Sequence, residues 1–188
     1  NYGLADINGK IIIPTQNSNI EIKGEYIYVE NNNAKEVYDS AGNKVNIDAN
    51  VCIMPTSNDK YKIVIKSEED RNYYGVIDSN NNQIINTEYL YIEYVFDNYF
   101  IVCNQDGKLG VLDSNANTVI EQKYDLIQKI QGKDIIQTLY RETNVTELYS
   151  KNIQKICEME NATIENQNNY IRMQSNTNLE YIDNDGKL

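Results

Sequence analysis

Short apolar runs, broken by Asn, Gly and Asp, recur along the whole chain. Aligned on a polar residue that follows two apolar ones, they read Leu4-Ala5-Asp6, Val37-Tyr38-Asp39, Val76-Ile77-Asp78, Val111-Leu112-Asp113 and Tyr181-Ile182-Asp183. Leu148-Tyr149-Ser150 fills the same place with Ser for Asp. These anchors stand at 6, 39, 78, 113, 150 and 183, so the spacings are 33, 39, 35, 37 and 33. Fourteen residues past each of the first five stands an isoleucine: Ile20, Ile53, Ile92, Ile127 and Ile164. That position played no part in choosing the anchors. Self-similarity at such a period marks a repeat architecture.

Other positions fall into register. Five to eight residues past the anchor come Ile11-Ile12-Ile13, Val45 with Ile47, Ile84-Ile85, Val119-Ile120 and Ile156. Six to eight beyond the isoleucine a strand-like run opens, as in Tyr26-Ile27-Tyr28-Val29, Tyr61 to Ile65, Tyr99-Phe100-Ile101-Val102 and Tyr170 to Met173; the fourth unit has Asp134-Ile135-Ile136. The turns hold Asn8-Gly9, Ala41-Gly42-Asn43, Asn80-Asn81-Asn82, Asp106-Gly107, Asn115-Ala116-Asn117 and Asp185-Gly186, residues suited to the positive φ angles of hairpins. Each unit therefore reads as short strand, tight turn, short strand, loop, longer strand, turn. Lys151 to Glu160 is compatible with a short helix, but its place in the repeat predicts a strand. Units this small bury too little to fold alone and are stabilised by stacking on their neighbours. The expectation is an all-β tandem array of about five 33–39-residue antiparallel repeats, propeller-like or an open curved solenoid, spanning 1–188. The chain opens inside one repeat and leaves a sixth truncated, as a fragment of a longer protein would.

Composition narrows the chemistry. Lys and Arg number 17 against 28 Asp and Glu, a net charge of −11, which disfavours nucleic acid and anionic membrane as partners. There is no His, which excludes His-based acid–base catalysis, Ser-His and Cys-His nucleophile pairs and imidazole-ligated zinc. Tyr numbers 16 while Phe is 2 and Trp is 0, and Ile is abundant; Tyr and Ile pack well on a pleated surface. No apolar run is long enough to span a bilayer as a helix.

Tyr2-Gly3-Leu4-Ala5-Asp6-Ile7-Asn8-Gly9-Lys10-Ile11-Ile12-Ile13-Pro14 resembles the bacterial WG repeat: an aromatic-Gly pair, two apolar residues, Asp, a Gly turn, an apolar run and Pro. Tyr74-Gly75-Val76-Ile77-Asp78 and Leu109-Gly110-Val111-Leu112-Asp113 look like further copies, and Tyr124-Asp125-Leu126-Ile127 matches a later element of that repeat. The signature Trp is Tyr2, Tyr74 or Leu109 here, and the Gly position holds Glu36, Glu147 and Glu180 in the other units. The resemblance implies a β-repeat fold in an exported or surface protein and supplies no catalytic residues.

Several features carry a second chemical reading. Asp78-x-Asn80-x-Asn82 and Asp113-x-Asn115-x-Asn117 look like the opening of a calcium loop, yet Gln83 and Thr118 stand where that loop needs Gly, and Tyr89 and Tyr124 where it needs Glu. Turn formation accounts for them better. Gly3 to Gly9-Lys10 mimics a phosphate loop but has five intervening residues and Ile11 in place of Ser or Thr. Cys52, Cys103 and Cys157 sit in apolar runs without a CxxC, which predicts buried free thiols and no disulfide framework. Glu68-Glu69-Asp70 offers carboxylates for a hydrolase, but reads as a solvated charge run.

The densest feature is aromatic: Tyr89, Tyr91, Tyr94, Phe96, Tyr99 and Phe100. Such rings stack on sugars or anchor a protein partner, or else they pack between repeats. The reading that follows is a non-catalytic module, without cofactor or metal, that binds a protein or glycan through Tyr89, Tyr91, Tyr94, Phe96 and Tyr99. It would be extracytoplasmic or at the cell surface. The alternatives are a hydrolase working with carboxylates alone and a structural spacer.

Overall fold

A computed structural model describes residues 1–32, 34–184 and 186–188; Asp185, read above as a turn residue, lies outside the described residues. The first strands, β1 (Tyr2–Ala5) and β2 (Ile11–Asn17), pair antiparallel. Next come β3 (Asn19–Lys23), β4 (Tyr26–Asn31), β5 (Ala34–Asp39) and β6 (Lys44–Val45), a four-stranded antiparallel sheet in chain order. β7 (Val51–Pro55), β8 (Tyr61–Glu68) and β9 (Arg71–Asp78) repeat the meander, and β10 (Gln83–Tyr89) follows. β11 (Tyr91–Phe96), β12 (Tyr99–Cys103), β13 (Leu109–Asp113) and β14 (Thr118–Tyr124) form another four-stranded sheet. So do β15 (Leu126–Lys129), β16 (Ile135–Tyr140), β17 (Val145–Ser150) and β18 (Lys155–Glu160). β19 (Thr163–Asn166), β20 (Tyr170–Gln174) and β21 (Leu179–Asp183) close the series. The fold is thus an all-β tandem array, and the segment before Glu160 is the expected strand.

The structural unit is a four-stranded meander, within the three or four short strands that a 33–39-residue period suits. The isoleucine fourteen past the anchor lies on its own short strand, at Ile20 in β3, Ile53 in β7, Ile92 in β11, Ile127 in β15 and Ile164 in β19. The anchor ends the third strand, and the fourth strand begins five residues later, at 11, 44, 83, 118 and 155. A sheet therefore runs across the sequence repeat, from one isoleucine to the strand after the next anchor.

One turn recurs at all six anchors. The anchor N–H donates to the carbonyl four residues on, at 2.9–3.0 Å, and the N–H three residues on donates back to the anchor carbonyl, at 2.9–3.1 Å. That third residue has a positive φ: Gly9 82°, Gly42 85°, Asn81 65°, Ala116 60°, Ile153 59° and Gly186 81°. The aspartate side chain completes the loop. Oδ1 of Asp78 accepts from Asn80 N at 2.9 Å and Asn82 N at 2.8 Å, while Oδ2 accepts from Asn82 Nδ2 at 3.0 Å. Asp39 and Asp113 bind their loops in the same way. These side-chain-to-backbone bonds are what an Asx turn requires. At Ser150 the hydroxyl replaces the carboxylate, accepting from Gln154 N at 3.3 Å.

Residues 1–83 and 84–188 form two compact units. In the first, Ile13 packs on Ile27 and Val29, Val37 on Tyr26 and Val45, and Val64 on Val51 and Ile77. In the second, Val111, Ile120, Ile127 and Ile136 form one cluster and Leu148, Met159, Ile171, Met173 and Ile182 another. In four of these five clusters the residue two before the anchor meets an apolar residue of the strand after it: Leu4 with Ile13, Val37 with Val45, Val111 with Ile120 and Leu148 with Met159.

The Gly of the aromatic-Gly pair has a steric cause. Across from Gly110, β14 carries three residues between its partners: Leu109 pairs with Tyr124 and Val111 with Ile120. This wide bulge brings the opposing chain so close that a Cβ on Gly110 would lie 2.7 Å from the Ile120 carbonyl oxygen and 2.9 Å from Gln122 Cα. Gly3 faces the same bulge, its notional Cβ 2.9 Å from Ile13 O and from Thr15 Cα. Backbone atoms cannot swing aside as a side chain can. Gly110→Ala should therefore cost about 1–3 kcal/mol, as overpacking does, read as a lower midpoint in urea; an unchanged midpoint would show that the bulge relaxes freely.

Candidate functional site

The aromatic cluster is built by the end of β10 and the β11–β12 hairpin. Tyr91 pairs with Cys103, Ile92 with Val102 and Tyr94 with Phe100, after which the register shifts so that Phe96 pairs with Tyr99. The shift breaks the alternation of the strand. Val95 and Phe96 both point inward and are buried, Phe96 to 6 % exposure, in the cluster with Val111 and Ile127. Phe96 is thus core and offers no face to a partner, which corrects its assignment from sequence. Lys129 Nζ caps its ring at 4.5 Å.

The other members divide by depth. Tyr99 is half-buried against the same core. Tyr94 is half-buried and meets Phe100 edge-on, with ring centroids 5.8 Å apart. Tyr89 is half-buried, with its hydroxyl bonded to Gln122; burial first, then the Glu88 carboxylate, raises its pKa. Tyr91 alone of the five is exposed, at 45 %, and its hydroxyl donates to Glu93 Oε2 at 2.8 Å. The hairpin thus presents one positioned tyrosine on a packed aromatic base.

A second constellation escaped sequence reasoning. Glu147, only 8 % exposed, lies on β17 among Tyr124, Tyr149, Lys155 and Thr138. Tyr124 and Tyr149 both donate to Oε2, the latter at 2.9 Å, and Lys155 Nζ donates to Oε1 at 2.5 Å. Burial alone would raise the carboxyl pKa, but the lysine and the two hydroxyls outweigh it and hold the group below its ordinary value. Burial and these neighbours push both tyrosine hydroxyls up. The carboxylate is therefore ionised and fully engaged, with no proton to give and a poor affinity for one. The arrangement recurs in the first unit: Tyr38 donates to Glu36 Oε2 at 2.6 Å and Lys44 to Oε1 at 2.5 Å. The only available signal was Glu-x-Tyr with a lysine eight residues past the Glu, present at 36/38/44 and 147/149/155.

Two of the concavities in the first unit carry lysine–tyrosine contacts. One of about 460 Å³ is lined by Tyr28, Lys35, Asn50, Cys52 and Ser67 among others. Burial pushes the Tyr28 hydroxyl up to about 12, and Lys23 Nζ sits 5.2 Å from its ring centre. The other, of about 470 Å³, is lined by Tyr26, Pro55, Asn58, Tyr61 and Lys62 among others. There Lys62 Nζ donates to the Tyr26 hydroxyl at 2.7 Å, which donates to Asn81 Oδ1 at 2.6 Å.

The remaining candidates resolve simply. Asp78 and Asp113 spend their oxygens on turn N–H groups. Gly9 is the positive-φ residue of the first turn, and Lys10 N closes the loop by donating to Asp6 Oδ1 at 2.9 Å. Glu68-Glu69-Asp70 is the exposed β8–β9 hairpin turn, with Lys66 paired to Glu68. The cysteines depart from expectation. Cys52 is exposed because β7 alternates, with Val51 inward and Cys52 outward, while Cys103 and Cys157 are half-buried. Burial raises the Cys157 thiol to about 11, and its sulfur lies 3.6 Å from that of Met173.

No protein-family model and no curated protein matches the chain. Solved structures do. An uncharacterized protein of Listeria monocytogenes is 11 % identical over 95 % of this chain and 70 % of its own, with a TM-score of 0.42. Hsv2p of Kluyveromyces lactis is 12 % identical over 91 % of this chain and 63 % of its own, with a TM-score of 0.38. The WD40 domain of Neurospora crassa Pan2 is 12 % identical over 89 % and 64 %, with a TM-score of 0.35. The chain thus spans less than two thirds of either fungal structure.

Two expected outcomes follow from this chemistry. A folded-state pKa below the ordinary 4.5 means Glu147 contributes stability that is complete above that value and lost as pH falls through the lower folded value. Glu147→Gln should cost about 1–3 kcal/mol at pH 7, with the gap from wild type closing in acid; parallel stability curves down to pH 2 would show the cluster to be inert. In native-state thiol labelling, Cys52 should react about tenfold or more faster than Cys103 or Cys157, since access and thiolate fraction set the rate. Equal rates at all three would contradict the alternation of β7.

Proposed function

We propose that this chain is a non-catalytic binding module, a divergent relative of the WG repeat, that recognises a protein or glycan. The observation that carries this reading is Tyr91: an exposed ring whose hydroxyl is fixed by Glu93 and whose strand is backed by Tyr94, Phe96 and Phe100. A tyrosine held this way presents apolar area and a polar tip at little entropic cost, as partner-binding anchors do. Non-catalytic is inferred from how the ionisable groups are used. The most buried carboxylate is neutralised by its own lysine and hydroxyls, and the anchor aspartates are consumed by turns. The WG relationship is supported by Gly3 and Gly110, which occupy the motif's Gly position for a stated steric reason. The exported or surface setting rests on that resemblance. No helix among the described residues is long and apolar enough to cross a membrane.

A pull-down from cell-surface extract and a glycan array test the proposal, followed by Tyr91→Ala. The variant should bind the recovered partner about tenfold or more weakly, with its thermal midpoint within about a degree of wild type. Unchanged affinity would remove Tyr91 from the interface. Turnover of an arrayed glycan would overturn the non-catalytic reading itself.

A further inference from the structure

In the sheets that begin at β3, β7, β11, β15 and β19, the second strand opens on a residue paired with its anchor. The next residue belongs to the core in four of the five, as Ile27, Phe100, Ile136 and Ile171, all buried. In β8 that residue is Lys62, its side chain only 19 % exposed. A lysine among apolar neighbours ordinarily bends its ammonium out to water. Here the ammonium is held instead, donating to the Tyr26 hydroxyl at 2.7 Å and lying 4.9 Å from the centre of that ring. Burial alone would lower its pKa, but the Tyr26 hydroxyl and the Glu25 carboxylate outweigh it and raise it, so the charge is kept.

A second exception stands beside the first. The left-handed residue of the anchor loop is Gly, Ala or Ile in every unit except at Asn81. Asn81 Oδ1 accepts from the Tyr26 hydroxyl at 2.6 Å, which turns the oxygen's lone pairs to Lys62. Asparagine visits the left-handed region readily, so this costs the fold little. The charge thus positioned is answered only loosely. Glu25 lies 3.4 Å from Lys62 Nζ, and its side chain is 79 % exposed. Pairs so open to water hold weakly.

Lys62 and Glu25 line the cavity of about 470 Å³, a size that suits a small molecule. Ile53, Pro55, Tyr26 and Tyr61 give it apolar walls, and Lys23 and Asp59 complete a lining of two cations and two carboxylates. A single ligand carboxylate that displaced Glu25 would keep that balance. A phosphate dianion would leave excess negative charge beside Asp59.

We propose that this cavity binds a monocarboxylate with an apolar, ring-bearing body. The ligand carboxylate takes Lys62 from Glu25, and the ring lies against Pro55 and the tyrosines. This site goes beyond the reading of Tyr91 and does not depend on it.

The probe is 3-phenylpropionate, titrated into the intact chain by calorimetry at pH 7. Saturable binding is expected, with a Kd of about a millimolar or tighter. The neutral 3-phenylpropanamide should bind about tenfold or more weakly, since it lacks the charge that strengthens the bond to Lys62. Lys62→Met should lose a similar factor with a thermal midpoint equal to or above that of wild type, because four other units bury an apolar residue there. Glu25→Gln removes the competing carboxylate and should tighten binding about twofold or more. N-acetyl-alanyl-phenylalanine distinguishes the source of the carboxylate: binding as tight as the probe's assigns it to a peptide C-terminus, and exclusion assigns it to a free small acid. Absence of saturable binding overturns the proposal, as does equal affinity for acid and amide or unchanged affinity in Lys62→Met. A midpoint lowered by several degrees in Lys62→Met would make the lysine a structural strut and overturn it too.

Discussion

Everything in this structure hangs on a five-residue loop closed by one side chain. At each anchor the chain must reverse, and the residue three on must enter the left-handed region, which costs an ordinary L-residue about 1–2 kcal/mol. Glycine removes that cost at three of the six loops and asparagine reduces it at Asn81, while Ala116 and Ile153 bear it. What holds the loop against the strain is the anchor side chain, a carboxylate or, at Ser150, a hydroxyl, which satisfies loop N–H groups that would otherwise have no partner. Because the loop length never varies, the fourth strand always starts at the same offset. Register on a pleated strand then decides which side chains face inward.

With the loop fixed, two local solutions exist for the third strand. Where the fourth strand bulges, its backbone swings over the residue three before the anchor, and only glycine fits, as at Gly3 and Gly110. Where the pairing there stays regular, as with Glu147 opposite Glu158, room remains for a long side chain. A glutamate fills it, and its charge is met by the lysine that opens the fourth strand and the tyrosine two residues on. Such a buried ion is costly to desolvate, and removing one partner alone exposes that cost. The sequence change from Gly to Glu is therefore coupled to changes at two other positions and to the backbone path of the neighbouring strand.

That coupling explains what could and could not be read from the residues. Anchors and the isoleucine fourteen on were legible because turn chemistry and strand periodicity act locally. The sheet boundaries were not, since the short first strand around Ile20 or Ile164 resembles any loop with one apolar residue. Phe96 reads as one more aromatic until the bulge after Tyr94 turns two consecutive residues inward. Cys52 looks buried between Val51 and Ile53, yet strict alternation on β7 sends it to solvent. The Glu147 cluster joins residues 124, 138, 147, 149 and 155 across two sheets, and the Glu-x-Tyr and lysine spacing within one unit announces only three of them. Resemblance to a repeat conveys where strands lie; the departures depend on what a neighbouring strand does.

In a repeat array the same argument separates scaffold from recognition. A position filled alike in every unit is accounted for by the loop, the bulge or the stacking of one sheet on the next, and a partner could gain no selectivity from it. Specific binding must draw on positions where one unit differs and where the difference costs the fold little. Tyr91 meets both conditions: the equivalent first-strand residues are Asn19, Cys52, Leu126 and Thr163, and its ring is outside the core. Phe96 fails the second, because its ring fills a core that Val111 and Ile127 share. The Glu147 cluster fails the first, being repeated at Glu36 with the same lysine and tyrosine geometry. Dense aromatic sequence is thus a poor guide to a binding face by itself; the informative residue is the exposed exception, held still by neighbours that the fold already needs.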